Sequence, residues 1–154
     1  MSPEHEALIR TTWAEITPRA DELTERFYQI LFDIHPTARA LFGHVDRTAL
    51  GLKVVRMLDE IVKVVDQPWL LVSVLAPLGR HHAGYGVDRY HYEAGCIALL
   101  SALRAVGGPA FTSEAEQAWR ELYRLVAAVM ERAGEAMTLD SGLRTSKQNL
   151  GLGT

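Results

Sequence analysis

Histidines are the side chains of this 154-residue sequence that are best suited to hold a metal ion. The six are His5, His35, His44, His81, His82 and His91. Clustered zinc ligands are missing, since there is one cysteine and no His-x-x-x-His spacing. His82 differs from the others because it continues an apolar helical face formed by Val74, Leu75 and Leu78. Such a groove with one imidazole suits a large, flat, hydrophobic cofactor that carries iron, although a hydrogen-bonded core histidine fits the same pattern.

Other catalytic chemistries find little support in the sequence. No serine lies in a Gly-x-Ser-x-Gly elbow, and Gly84-x-Gly86 follows no predicted strand, as a phosphate-binding loop would. The single cysteine, Cys96, lies on an apolar helical face, which predicts a buried and unreactive thiol. One cysteine also excludes an intramolecular disulfide and fits a reducing compartment.

Charge and hydropathy narrow the class of protein further. Sixteen basic and nineteen acidic residues are interspersed and give a net charge of −3, so nucleic acid is a poor candidate partner. The longest uncharged run, residues 67–79, is 13 residues long, whereas a membrane-spanning helix needs about 20. The N-terminus has neither the basic nor the apolar region of a signal peptide. We therefore expect a soluble, cytoplasmic protein without a membrane segment.

The spacing of apolar residues predicts helices along the chain and an all-α fold. A first stripe runs through residues 8–16 and a second through 23–34, both with helical periodicity. Between residues 47 and 65 many residues are β-branched, yet the apolar ones share one helical face and do not alternate. Further helices are predicted from Pro68, through Cys96, and from the capping box at residues 113–116. After Met137 the sequence becomes polar, which predicts a domain over residues 1–137 and a disordered tail over 138–154.

Two segments of the sequence resemble globins. Residues 78–87 read LGRHHAGYGV, which is similar to the haem-ligating helix of neuroglobins and bacterial single-domain globins. Residues 27–42 resemble the Phe-Tyr-x-x-Leu-Phe…Pro…Leu-Phe signature of bacterial globins and flavohaemoglobin haem domains. Lys53-Val54 and Trp119 with Tyr123 match the distal and last helices, so that the resemblance covers residues 4 to 135.

The resemblance implies a 3-on-3 globin fold with helices A, B, C, E, F, G and H and a short or absent D. It implies haem b as the cofactor and reversible binding of O2, CO and NO. The role would then be oxygen binding or transport, or NO dioxygenation with a separate reductase, so enzymatic activity stays open. An alternative is a haem-based gas or redox sensor that signals through a partner, and a further one is a globin fold that has lost haem.

The resemblance also assigns roles to individual residues. His82 would be the proximal ligand of the iron, with its Nδ1–H reaching the carbonyl of Leu78 one turn back. Phe42 would stack on the porphyrin. Val87 and Tyr92 would form the wall on the proximal side.

On the distal side, Tyr28 falls at the position of the distal tyrosine of bacterial globins. Leu50 lies 32 residues before His82, where globins usually carry histidine or glutamine. Lys53 would reach a haem propionate, and Val54 would pack over the distal face. His44 and His81 are expected at the surface.

The sequence departs from flavohaemoglobins in three ways. It contains no FAD- or NAD-binding module. Gly134 occupies the position of a glutamate that makes the proximal histidine more basic, and Glu135 is one residue out of register. Leu50 offers no donor atom, which argues against coordination of iron by two histidines.

Overall fold

The structure, a computed structural model, describes residues 1–43 and 45–149 of the chain. These residues form seven α-helices and no strand: α1 Pro3–Ile16, α2 Ala20–Ile34, α3 Arg39–Phe42, α4 Arg47–Lys63, α5 Pro68–Gly84, α6 Arg89–Gly107 and α7 Ser113–Asn149. Short 3-10 turns at Thr17–Arg19, Pro36–Ala38 and Gly108–Ala110 join neighbouring helices. The prediction of an all-α fold is confirmed.

Capping residues in the sequence explain where several helices begin. The Ser2 side chain accepts a hydrogen bond from the backbone N–H of His5, and Pro3 occupies the first position of α1. Asp46 caps α4 in the same way, by accepting from the N–H of Thr48 at 3.0 Å. Asp88 caps α6 and forms a capping box. Each cap satisfies backbone amides that the first turn of a helix leaves without a partner. The capping residues therefore fix where these helices begin.

The core is built from the apolar faces of the long helices. Trp13 of α1 and Trp119 of α7 are buried with their rings 6.0 Å apart. The Trp119 indole N–H donates to the hydroxyl of Thr12 at 2.7 Å, so the buried polar atoms of both residues are satisfied. Beside this contact, α2 packs along α6 and α5 packs along α7. Within the described ranges, no helix is long and apolar enough to cross a bilayer.

Helix α5 is held very differently by its two neighbours α7 and α4. It packs closely along α7, where Gly79 lies so near Met130 that a Cβ would overlap the Met130 backbone. It barely touches α4. Because α4 and α5 share few contacts, we infer that they leave a cleft between them, with α5 as one wall.

The last helix differs from the sequence expectation. We expected disorder from residue 138, yet α7 is helical through Asn149, and residues 150–154 lie outside the described part. The segment 138–149 contains one glycine and no proline, so nothing in it breaks a helix that is already nucleated. The division into a domain over 1–137 and a separate tail stays a prediction.

Candidate functional site

The apolar residues that we expect to line a cleft between α4 and α5 are half-buried. Phe42 ends α3, Leu50 and Val54 lie on α4, Leu78 lies on α5, and Val87 follows α5. Apolar residues in a close-packed interior would be fully buried, whereas these keep part of their surface accessible. The lining therefore fits a flat hydrophobic group inserted between the two helices.

His82 is a half-buried histidine of α5, one turn after Leu78. Its Nδ1–H donates to the carbonyl of Leu78 at 2.9 Å, the hydrogen bond that the four-residue spacing predicts. Burial lowers the pKa of His82; the bond to Leu78 opposes this change, and the charge of His81 adds to it. The imidazole is thus neutral at neutral pH, as ligation of a metal requires. Because the Leu78 bond occupies Nδ1, Nε2 is the ring nitrogen that is left for a metal ligand bond.

Tyr92 of α6 supports the imidazole from one side. The two rings lie nearly parallel, with centroids 6.2 Å apart and an interplanar angle of 21°. The backbone carbonyl of Tyr92 accepts a hydrogen bond from the hydroxyl of Tyr123 in α7, at 2.7 Å. Burial, with a further contribution from the charge of Glu131, raises the pKa of Tyr92 to about 12. The ring of His82 is therefore positioned by groups from α5, α6 and α7.

Tyr28 of α2 is buried in a second, aromatic group of side chains. Its ring lies 5.4 Å from that of Phe42, edge to face, and 5.9 Å from that of Phe32. Burial raises the pKa of Tyr28 to about 12, and the positive charge of Arg47 opposes that increase. The phenol is consequently protonated at neutral pH and can donate a hydrogen bond.

The structure brings most of the predicted site residues into two adjoining groups. Leu78, Val87 and Tyr92 belong to the main core, and Phe42 and Leu50 pack around Tyr28. Val54 and Phe27 pack against both groups and so connect them. The side chains of Lys53 and His81 are exposed, and His44 lies outside the described residues.

Gly134 lies on the side of α7 that packs against α5. Gly134 is buried against α5, and a Cβ there would come within 2.8 Å of the Ala83 side chain. Glu135 and Glu131 line a cavity of about 770 Å³ beside Gly134, together with Tyr92. The charge of Glu131 acts on Tyr92, although our reading of the sequence did not single it out. Its position one turn before Gly134 is the signal that could have identified it.

Two arginines near Phe42 were also not expected from the sequence. The guanidinium carbons of Arg39 and Arg47 lie 5.2 and 5.4 Å from the centre of the Phe32 ring. Both side chains line a cavity of about 220 Å³ that also reaches Tyr28 and Leu50. Nothing in the sequence marks them except their places on either side of Phe42.

Comparison with known proteins decides the family. The family model named Globin matches residues 25–130, which is more than half of the chain. The chain belongs to the globin family. In globin terms, α1, α2, α4, α5, α6 and α7 are helices A, B, E, F, G and H, and the turn at Pro36 with α3 is helix C. Residues 45 and 46, at the place of helix D, are not helical.

Individual relatives of this globin are more distant. It is 29% identical over 133 residues to a flavohemoprotein of Xylella fastidiosa, with 84% of this chain but 33% of that protein covered. The chain thus spans about a third of the flavohemoproteins that it matches. It is also 29% identical to the anaerobic nitrite reductase HBII of Casuarina glauca, covering 82% of this chain and 88% of that one.

Among solved structures, an engineered carbene transferase from Rhodothermus marinus shares the fold of this globin. The TM-score is 0.79, and the match covers 92% of this chain and 99% of that one. The sequence identity is 23%, so this likeness concerns the fold alone.

Proposed function

We propose that this globin binds haem b in the cleft between α4 and α5, with His82 as the protein ligand, and that it binds O2, CO and NO reversibly. The observation that carries the proposal is the neutral, oriented imidazole of His82 on a helix that has few contacts with α4. One imidazole nitrogen and a hydrophobic slot are what haem binding needs. Membership of the globin family supports the same choice.

When bound, haem supplies the iron at which a diatomic gas is held. The protein contributes the orientation of the ligand and the exclusion of water. The carbonyl of Leu78 fixes the Nδ1–H tautomer of His82, so that the lone pair of Nε2 is available. Phe42, Val54 and Val87 supply apolar contact on the two sides of the slot.

Tyr28 is the hydrogen-bond donor that we assign to the gas-binding side. Tyr28 lines a cavity together with Phe42 and Leu50, and its raised pKa keeps the proton on the phenol oxygen. Bound O2 carries partial negative charge on its outer atom, whereas bound CO is less polar. A neutral phenol therefore favours O2 over CO. Lys53, whose side chain is exposed, has the reach and the charge to pair with a haem carboxylate at the rim.

NO dioxygenation is the second candidate function. It is favoured by the match between this chain and the covered third of flavohemoproteins, and by Tyr28 as a donor to O2. That reaction would convert NO and O2 to nitrate, with haem as the site of oxidation and a separate reductase as the source of the one electron required. Gly134 leaves the proximal side without a carboxylate at that position, and Glu131 and Glu135 are the acidic residues of α7 that line the adjoining cavity.

An absorption spectrum of the purified protein with haem tests the first function. We expect a Soret band at a one-to-one ratio of haem to protein, and separate, reversible spectra with O2 and with CO after reduction. The absence of a saturable Soret change on addition of haem would contradict haem binding. A protein that binds haem but neither gas would contradict the proposed role.

Consumption of NO separates the two candidate functions. With a generic flavin reductase and NADH present, an NO dioxygenase removes NO catalytically and releases one nitrate per NO. If the reductase does not return the oxidised protein to the ferrous state, the oxygenated protein oxidises a single equivalent of NO and then stops. Sustained turnover would thus establish the second candidate, and a single equivalent would eliminate it.

A further inference from the structure

Two histidines from distant parts of the sequence stack on each other where the end of α2 meets the start of α6. His35 directly follows α2, where its Nδ1 lies 2.7 Å from the Thr37 hydroxyl, and His91 lies in the first turn of α6. The ring centroids of the two histidines are 4.4 Å apart, with an interplanar angle of 23°. Histidine is the side chain whose charge ordinarily changes between pH 5 and 8. The contact between α2 and α6 is therefore made, at this point, by two groups of the type that takes up protons in that range.

The His91 imidazole also holds the first turn of α6. Its Nδ1 accepts a hydrogen bond from the backbone N–H of Asp88 at 3.0 Å. The Asp88 carboxylate accepts in return from the N–H groups of Tyr90 and His91, at 2.9 and 3.1 Å. Together these bonds form the capping box of α6. Because a nitrogen that accepts a hydrogen bond carries no proton, the closed box requires the neutral form of His91.

A proton on Nδ1 of His91 would disturb this arrangement in two ways. The protonated nitrogen donates, and the Asp88 carboxylate, 2.9 Å away, would accept from it. The backbone N–H of Asp88 would then lose its acceptor. A second positive charge on His35, at a ring separation of 4.4 Å, would repel the first. Proton uptake thus frees the Asp88 amide and opposes the stacking of the two rings.

Asp88 is the charged group that faces the histidine pair. Its pKa is lowered, mainly by the backbone N–H of His91 and further by charge on His91 and His35, while desolvation opposes the change. The carboxylate is therefore ionised throughout the range from pH 5 to 8. Four exposed charged side chains lie close by in the chain: Asp33, Arg39, Arg89 and Glu93. Among the side chains that the structure describes, none of these four forms an ion pair with either histidine.

The first turn of α6 adjoins residues that we assign to the cofactor site. Val87 directly precedes Asp88, and its N–H donates to the carbonyl of His82 at 3.0 Å. Tyr92 directly follows His91, and its N–H donates to the carbonyl of Asp88 at 3.2 Å. A rearrangement of Asp88 thus takes place one residue from Val87 and one hydrogen bond from Tyr92.

We propose that the pair of His35 and His91 is a proton-sensitive switch between α2 and α6. Towards pH 8 the rings stack and the capping box is closed. Towards pH 5 proton uptake releases the Asp88 amide and loosens the first turn of α6, which leads into Tyr92. The switch consists of side chains outside the cofactor site, and it does not depend on the proposed binding of haem.

Amide hydrogen exchange of the purified full chain, followed by NMR between pH 5 and 8, tests the proposal. After correction for the intrinsic pH dependence of exchange, the protection of an amide measures how often its hydrogen bond opens. We expect the protection of the Asp88 and Tyr92 amides to fall at least about 10-fold from pH 8 to pH 5, since one bound proton changes the opening equilibrium by up to about tenfold per pH unit. Constant protection of the Asp88 amide would overturn the proposal. A fall at Asp88 without one at Tyr92 would overturn the link to the cofactor site.

Variants at the two histidines separate the switch from general effects of acid. Glutamine at this helical position accepts from the same N–H but takes up no proton, so His91→Gln should keep the Asp88 amide protected at every pH. His91→Phe keeps a ring without an acceptor, so low protection of that amide is expected over the whole range. His35→Phe removes one charge but retains a ring, and its fall in protection should be smaller than that of the wild type.

The control is His81→Gln, which changes an exposed histidine away from the pair and should behave like the wild type. A pH dependence in His91→Gln as large as that of the wild type would contradict the role of His91. An undiminished pH dependence in His35→Phe would contradict the repulsion between the two rings.

Discussion

The two faces of α5 are packed in opposite ways. Towards α7, Gly79 and Gly134 allow the helix backbones to approach until a Cβ at either position would overlap its neighbour. Towards α4, Leu78 and His82 are only half-buried, and α4 barely touches α5. Close packing on one face fixes the position of the imidazole, while open space on the other leaves room for a cofactor. Helix α5 thus has one closely packed face and one face with few contacts, and His82 is half-buried on it.

Of the predicted changes, substitution of Gly79 should have the largest effect, because it disrupts the close packing of α5 against α7. In Gly79→Ala the new Cβ overlaps backbone atoms of Met130, which cannot rotate away as a side chain can. Overpacking of this kind costs about 3 kcal/mol, so we expect a loss of that size in the free energy of unfolding. Chemical denaturation followed by circular dichroism measures it.

Alanine substitutions at two other glycines provide comparisons for the stability loss expected in Gly79→Ala. Gly134→Ala meets the Ala83 side chain at 2.8 Å and the Gly79 carbonyl oxygen at 3.3 Å, so its loss of stability should be smaller. Gly84→Ala is the matched control on α5, because nothing lies within 4 Å of its Cβ. We expect it to be neutral or slightly stabilising. Equal stability of Gly79→Ala and Gly84→Ala would show that α5 and α7 are not tightly packed.

Removal of the Tyr28 hydroxyl tests the polar group on the open side. Loss of one hydrogen bond to a partly charged acceptor corresponds to roughly 1.5–3 kcal/mol. If most of this energy affects dissociation, Tyr28→Phe accelerates O2 release by about 10- to 100-fold and CO release far less. Stopped-flow dissociation rates measure both gases. Unchanged O2 release would mean that the phenol does not reach the gas.

The helices and the hydrogen bond between His82 and Leu78 could be predicted because they depend on residues that are close together in the sequence. The four-residue spacing of Leu78 and His82 is sufficient to place a carbonyl under an imidazole, and the structure contains that hydrogen bond. Periodicity likewise predicted α4 as a helix despite its β-branched residues. These features depend on neighbours within one or two turns.

Contacts between distant elements could not be predicted in this way. Arg39 and Arg47 meet at Phe32 because α3 and the start of α4 converge on α2, which no spacing in the sequence specifies. Glu131 affects Tyr92 because α7 passes α6 at that point. The helical stretch 138–149 was missed because polar composition was interpreted as disorder, although no proline ends the helix.

The smallest expected effect concerns Lys53. Leu50 has no donor atom and the side chain of Lys53 is exposed, so we expect a five-coordinate ferrous spectrum in the absence of gas. Lys53→Ala should leave that spectrum unchanged and weaken haem binding only a few-fold, as for an exposed ion pair. A six-coordinate, low-spin ferrous spectrum that disappears in Lys53→Ala would instead show that the lysine binds the iron.

The ligand assignment of His82 is the central claim, and the ferrous spectrum of His82→Gly with and without imidazole tests it most directly. We predict that the variant loses the five-coordinate spectrum and rapid CO binding, and that free imidazole restores both by entering the space left by the side chain. His81→Gly, a change at the neighbouring exposed histidine, should behave like the wild type. An unaltered spectrum and unaltered O2 binding in His82→Gly would contradict the assignment.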